Sequence, residues 1–400
     1  MIYDALVIGG GPAGATVARL LARSGWSVVL LEKAVFPRRK VCGEFLSATS
    51  LPLLRMLGVE EMFLALAGPP VQEVGLYAGT RILSAPMPVA RGTGAWGRAL
   101  GREHLDSMLL DAARQAGVEV MQPCVATRLA IGNGIQVCNV ERPGNDRGFE
   151  VQARVTVAAH GSWEKGQLPT QIPRRKPERS DLLAFKGNFA RTALPASLMP
   201  LLTFPGGYGG MVHTDHERVS LSCCIRRDVL QQCRHGPVAH RGAAKAVLAH
   251  IMEHCYGVRS ALDGADTEGA WLSAGPIQPG IRALHKEGIF AVGNTAGEAH
   301  PVVAEGISMA MQGAWLLAGL LISARTEIRR GHSKETGAAY VRAWRRHFAP
   351  RLRSAALFAH LAMQPAATRI LLPLFQYIPG LLAGCTRLSG KTTNVIPVSV

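Results

Sequence analysis

Four hundred residues exceed what one hydrophobic core commonly holds, about 250–300, so two lobes are expected. Hydrophobic residues make up 48% and charged residues 18%, with a mean hydropathy of +0.14, which suits an apolar globular protein and not the pattern of a membrane bundle. A net charge of +16 and a pI near 10.0 admit nucleic acid, an anionic membrane or an anionic ligand as partners, so where the charge sits decides between them.

The chain opens Met-Ile-Tyr-Asp and enters an apolar run at once, with neither the charged n-region nor the cleavage site of a secretory signal, so a cytoplasmic setting is expected. Ala5–Ile8 reads as a buried parallel strand, Gly9–Gly14 as a glycine turn and Ala15–Ser24 as a helix. In G-x-G-x-x-G form the glycines are Gly9, Gly11 and Gly14: one makes the tight turn, one lets the backbone approach a pyrophosphate, and one lets helix pack on strand. The helix N-terminus would present free N–H groups and a positive dipole end to the phosphates. A second apolar run, Ser27–Leu31, delivers Glu32 eighteen residues after Gly14, where a carboxylate can accept both hydroxyls of an adenosine ribose. That favours FAD or NAD.

Mid-chain, a basic run of Arg174, Arg175, Lys176 and Arg179 precedes short strand-like runs at Leu182–Phe189, Gly210–Val212 and Val219–Ile225, whereas residues 241–256 read as one helix. From Thr336 to Val400 the chain carries eight basic residues (Arg342, Arg345, Arg346, Arg351, Arg353, Arg369, Arg387, Lys391) and no Asp or Glu, half of the net excess in a sixth of the length. Ala355–His360, Ile370–Phe375 and Ile378–Leu382 are apolar runs broken by Pro365, Pro373 and Pro379, each too short to cross a bilayer. They suit either a segment lying in the interface of an anionic membrane or helices packed on the protein with a solvated basic face. The eight cysteines show no Cys-x-x-Cys pair, so free thiols are expected and no metal site is indicated. No internal repeat is visible.

Near the other end, Phe290–Gln312 (FAVGNTAGEAHPVVAEGISMAMQ) resembles the second FAD motif of the geranylgeranyl reductase and p-hydroxybenzoate hydroxylase superfamily of flavoproteins. There a strand, Gly-Asp, a proline-containing loop and Glu-Gly-Ile open a long helix. Lys40–Ser47 (KVCGEFLS) resembles the Cys-Gly segment that lies beside the isoalloxazine in geranylgeranyl reductases, and Arg102–Ala113 is similar to the helix whose arginine reaches the cofactor. Val125 matches a position whose backbone contacts adenine, and Phe204–Val212 (FPGGYGGMV) resembles the Phe-Pro segment that closes over the flavin's far side. The matches span about residues 1–320 in the family's order, and the chain is identified as a member of the geranylgeranyl reductase-like branch. Two departures stand out: Ala159-His160-Gly161 where the family has Ala-Asp-Gly, and Gly293-Asn294 where it has Gly-Asp. Asn294 can still bond ribityl hydroxyls; His160 puts the dinucleotide handling ascribed to that Asp in doubt.

The resemblance implies an α/β fold: a Rossmann-like FAD-binding domain with an interleaved β-sheet substrate domain of the p-hydroxybenzoate hydroxylase type and a helical C-terminal segment. The FAD domain is expected over 1–75, 98–175 and 275–335, the substrate domain over 76–97 and 180–274, and the basic, apolar segment over 336–400. The implied cofactor residues are Gly9, Gly11, Pro12, Ala13, Gly14, Glu32, Lys33, Arg39, Arg102, Val125, Gly293, Asn294, Pro301, Gly306 and Ile307. A helix starting near Gly306 would aim N–H groups at the flavin O2/N1 edge and stabilise the anionic reduced form.

The same resemblance places Cys42, Glu44, Glu298, His300 and Glu305 near the flavin, with Glu44 and His300 the leading catalytic candidates and Cys42 a residue facing substrate or flavin. It implies hydride transfer to the C=C bond of a prenyl or polyketide-type lipid, favoured by the Cys-Gly-Glu and Phe-Pro stretches and the apolar, basic tail. The rival is a monooxygenase hydroxylating a phenolic or polyketide-derived ring, or a halogenase; the absence of Trp-x-Trp-x-Ile-Pro speaks against the tryptophan type. A nucleic-acid-binding flavoprotein is a third class, disfavoured because the tail lacks a recognisable module. With no second G-x-G-x-x-G, NAD(P)H would visit transiently or another reductant would serve. The expected partners are a small lipophilic or aromatic substrate and, through 336–400, the inner face of a membrane; oligomeric state is open.

Overall fold

The computed structural model describes residues 1–90, 92–132, 134–163, 166–173, 175–234, 242–378, 380–392 and 395–396. Arg174, Pro379 and residue 241 lie outside them. The strand Ile2–Ile8 occupies the middle of the first sheet, parallel to Val28–Leu31 on one side and to Asn145–Ala158 on the other. Glu119–Met121 and Ile289–Ala291 extend it in parallel, and the hairpin Val125–Gly132 and Ile135–Arg142 joins Asn145–Ala158 antiparallel. Ala5, Leu6 and Val7 have no exposure because both faces of this parallel sheet are covered, which is why the segment reads as an unbroken apolar run. The first helix starts at Pro12, earlier than Ala15, since proline's fixed φ and missing N–H suit a first helical turn. It packs on the helices Arg102–Gln115 and Gly306–Ser323. Val17, Leu21, Phe290, Leu317, Trp344 and Phe348 meet in this lobe's core, each burial worth about 1.5–3 kcal/mol.

The second sheet has the order Asp266–Ile277, Leu182–Ala190, Val219–Arg226, Gly207–His213, Leu198–Phe204, Glu73–Ala78, Arg81–Pro86. All its pairings are antiparallel except that between Leu198–Phe204 and Glu73–Ala78. Its strands begin at Glu73 and end at Ile277. Against it lie two helices, Ala243–His254 and Tyr256–Ala261, where the sequence suggested one. Cys255 breaks the run with extended backbone (φ −140°, ψ 90°), because it forms a β-bridge with Gly79 and its thiol donates to the Tyr77 carbonyl. Val247, Ile251 and Val258 pack here on Leu202, Leu221 and Ile225.

The tail is woven through both lobes. Lys334–Met363 buries Tyr340, Trp344 and Phe348 in the first core, and its far end places Ala359 and Ala362 against Leu182, Tyr208 and Ile277 of the second sheet. Pro365–Tyr377 and Gly380–Leu388 follow, after which the chain returns to bury Val395 and Ile396 in the first lobe. Part of the basic excess is structural: Arg175 and Arg227 pair with buried Asp181. Among the described residues, Gly306–Ser323 is the one unbroken helix long and apolar enough to cross a membrane, and more than half of it is buried in the protein.

Candidate active site

One cavity of about 2120 Å³ runs from the C-terminal end of the first sheet, beneath the second sheet, to the helices Pro365–Tyr377 and Gly380–Leu388. Gly9, Gly11, Pro12 and Ala13 line its inner end. Gly14 is turned away from it; a Cβ there would overlap the Gly9 carbonyl oxygen, so its part is to let helix and strand approach. The buried Glu32 carboxylate accepts N–H groups from Gly10 at 2.7 Å and Ala34 at 3.0 Å, which fix its orientation at the cavity wall. Lys33 and Val125 line the same wall.

Beside Gly11 there is a notch. A Cβ on Gly11 would lie 3.8 Å from the Arg102 guanidinium and 3.9 Å from that of Arg38, and the helix that follows has no side-chain cap. Arg102 is held by two bonds to Asp106, of 2.7 and 2.8 Å, while Arg38 stands 3.4 Å from Asp106 and 3.7 Å from Glu32. Uncapped N–H groups, two guanidinium groups and room for close backbone approach are what a pyrophosphate requires. The residues present therefore fit a dinucleotide. Arg39, expected among the cofactor residues, reaches instead to the Ala270 carbonyl at 3.4 Å and stays off the cavity wall. Arg38 stands in its place; in the turn after Ala34 the two neighbours diverge, which pattern alone does not reveal.

The middle of the cavity is walled by Cys42, Gly43 and Glu44 on one side and by Gly293, Asn294, His300, Pro301, Gly306 and Ile307 on the other. Gly306–Ser323 likewise starts without a side-chain cap, so two helices some 300 residues apart in sequence open onto one space. The Asn294 amide donates to Glu298 at 3.2 Å, and Arg282 pairs with Glu298 at 3.2 Å, which makes Glu298 a brace. Glu44 is fully buried in a left-handed conformation (φ 62°) and accepts the Lys186 ammonium and the Arg102 backbone N–H, the latter at 3.1 Å. Those contacts tie its carboxylate to the second sheet. Cys42 is bonded by the Glu44 N–H at 3.4 Å and by Arg102. His160 sits at the end of Asn145–Ala158 and bonds Thr170 at 2.8 Å.

Sequence reasoning singled out His300 but not its partner. The Tyr208 hydroxyl, on the second sheet, lies 3.1 Å from His300 Nδ1. Burial pushes His300 down to about 4 and Tyr208 well above its usual value, so near neutrality the imidazole is uncharged and shares one hydrogen with the phenol, which is also hydrogen-bonded to the Cys224 thiol. Beyond this pair the wall is apolar, with Met199, Leu201, Met211, Leu371, Leu372 and Phe375. Lys186 went unmarked and Lys391 counted only as one of the tail's basic residues, because a lysine that folds inward has no pattern to mark it.

Two uncapped helix N-termini, a carboxylate at the end of the second strand and a guanidinium pair suit a bound dinucleotide, and by its family the chain is a FAD-dependent oxidoreductase. The chain belongs to the FAD binding domain family, whose model matches residues 2–337. It is 26% identical over 344 residues to Conditioned medium factor receptor 1 of Dictyostelium discoideum, a match covering 82% of this chain but 64% of that protein, under two thirds of its length. It is 27% identical over 316 residues to digeranylgeranylglycerophospholipid reductase 1 of Methanopyrus kandleri, 78% of each chain. A shorter stretch of 56 residues, 14% of this chain and 10% of its counterpart, is 54% identical to tryptophan 2-halogenase of Chondromyces crocatus. The fold superposes on the myxobacterial chondrochloren halogenase CndH with a TM-score of 0.78, at 20% identity over 97% of this chain and 91% of that one.

Proposed function

We propose that this oxidoreductase saturates a C=C bond of a lipophilic, prenyl- or polyketide-type substrate. The observation that carries the reading is the cavity: it continues from the flavin-binding walls into a long apolar chamber that ends at the C-terminal helices. A bound, reduced FAD would supply the hydride. Gly11, Glu32, Arg38 and Arg102 would hold the dinucleotide end, and Asn294, Pro301 and Gly306 the flavin end. The apolar wall excludes water and orients the substrate's chain. Tyr208 and His300 would place the proton: the uncharged imidazole lines the chamber, hydrogen-bonded to the Tyr208 hydroxyl, and the proton given to the substrate carbon would be replaced from solvent, because burial disfavours a phenolate at Tyr208.

The chamber's mouth supports a partner. Leu374, Leu381 and Leu388 both line the cavity and face solvent, beside Ile370 and Tyr377, which are 75% and 83% exposed. With Arg369 and Arg387 in the same helices and no acidic residue after Glu335, this rim suits an anionic membrane surface, here the inner leaflet, from which a lipid would enter. NAD(P)H, or another small reductant, would reduce the flavin as a visitor.

The 54% local identity to a halogenase favours a second reading, oxidation of an aromatic or polyketide-derived ring by hydroxylation or halogenation. The products decide. Holoenzyme incubated with reductant, air, bromide and a lipid extract should yield products heavier by two hydrogens; incorporation of oxygen or bromine would establish the second reading.

A further inference from the structure

We infer that Lys391, delivered by the C-terminal tail, is an electrostatic residue of the flavin site that raises the reduction potential of the bound FAD. The helix Gly306–Ser323 opens on the cavity, and its N-cap residue is Glu305, which has no exposed surface. A dense polar network is buried behind that opening. Ser47 bonds Thr49 at 2.6 Å, Ser308 at 3.2 Å and Glu305 at 3.4 Å, and Gln312 donates to Thr49 at 3.1 Å. Into it the tail inserts two cations. Lys391 pairs with Glu305 at 3.2 Å, donates to the Val303 carbonyl and lies 5.2 Å from the centre of the Phe45 ring; Arg351, from Lys334–Met363, donates to Gln312 at 3.2 Å.

The placement has a physical consequence. Lys391 lines the same cavity as Ala304, Gly306 and Ile307 while being only 7% exposed, so water screens it poorly. Lys391 lines the cavity wall whereas its partner Glu305 stands off that wall, so the cation is the charge nearer the cavity. It adds to the positive end of the helix dipole at the point where that helix meets the cavity. A flavin gains negative charge on reduction, so a cation on the wall beside it favours the reduced form. The tail is held in this arrangement by burial of Val395 and Ile396 just beyond. The inference depends on FAD binding alone and stands or falls separately from the reaction proposed above.

The test uses opposite signs. In holoenzyme, Lys391→Met should weaken sulfite binding to the flavin about tenfold and lower the two-electron potential by the equivalent ~30 mV, while Lys391→Arg leaves both near wild type. Glu305→Gln, which removes the counter-anion, should strengthen sulfite binding and raise the potential. A merely structural role would move Lys391→Met and Glu305→Gln in the same direction. That outcome, or a folded Lys391→Met holoenzyme with unchanged potential and sulfite affinity, overturns the inference. If Lys391→Met does not retain flavin, Glu305→Gln decides alone: a raised potential supports the inference, and an unchanged or lowered one refutes it.

Discussion

The Tyr208 hydroxyl is hydrogen-bonded to His300 Nδ1 across the boundary between the two sheets, at 3.1 Å, joining a residue of the Phe-Pro hairpin to the loop that opens the flavin helix. Each partner is positioned by its own lobe, so the bond exists only when the lobes are docked. Tyr208→Phe keeps the ring and its burial but removes the hydroxyl bonded to Nδ1. Turnover should fall by roughly 100-fold, in line with the loss of a general acid, while the oxidised flavin spectrum and flavin affinity stay unchanged. Stopped-flow measurement of the substrate-dependent step checks this, and turnover near wild type would remove the pair from the chemistry.

Burial of His300 also predicts a pH dependence of stability. Its folded value, about 4, lies below the ordinary 6.5, so between these values the unfolded chain binds a proton that the folded chain refuses. Stability therefore declines as pH falls from about 6.5 toward 4 and is unaffected by this group above that window. His250, His285 and His347 are shifted the same way by burial, so His300→Gln should flatten the decline in part. Thermal melts of both proteins across this range give the comparison; identical slopes would contradict it.

Neighbouring arginines should separate cleanly. Arg38→Ala removes a guanidinium from the Gly11 notch and should cost about 1.5–3 kcal/mol of FAD binding, roughly 10- to 100-fold in affinity. Arg39→Ala, whose side chain points to Ala270, should leave FAD affinity within twofold, an order-of-magnitude bound for a group off the site. Titration of apoprotein with FAD measures both.

The membrane reading concerns the rim of the chamber and not the whole tail. Removing residues after 335 would strip Tyr340, Trp344 and Phe348 from the core, so point changes are the informative ones. Ile370→Asp with Tyr377→Asp should abolish flotation with anionic liposomes while leaving the melting temperature near wild type. Equal recovery of the variant and the wild type would dismiss the surface, and salt-sensitive binding to RNA would promote the nucleic-acid alternative.

Much of this was legible in sequence where local pattern and chemistry coincide. The Gly9–Gly14 turn between two buried strands, Glu32 at the second strand's end and the loop Gly293–Ile307 each carry their meaning within a few residues, and of the residues expected there all but Gly14 and the buried Glu305 line one cavity. What stayed hidden depends on long-range packing. Nothing local separates Arg38 from Arg39, or a helix running through Cys255 from one broken by a bridge to Gly79. Glu44 looks like a free acid until Lys186, 142 residues away, is folded onto it. The tail's arginines and apolar runs fit membrane and core equally well, and only the fold shows Lys334–Met363 committed to packing while Ile370 and Tyr377 remain outside.

The most direct measurement of the proposed reaction is anaerobic. Holoenzyme reduced without oxygen and then mixed with a polyprenyl lipid should recover the absorbance of oxidised flavin at a rate that rises with lipid concentration, with oxygen excluded throughout. Flavin that stays reduced until air is admitted, and then reoxidises with an oxygenated or halogenated product, would contradict saturation of a C=C bond.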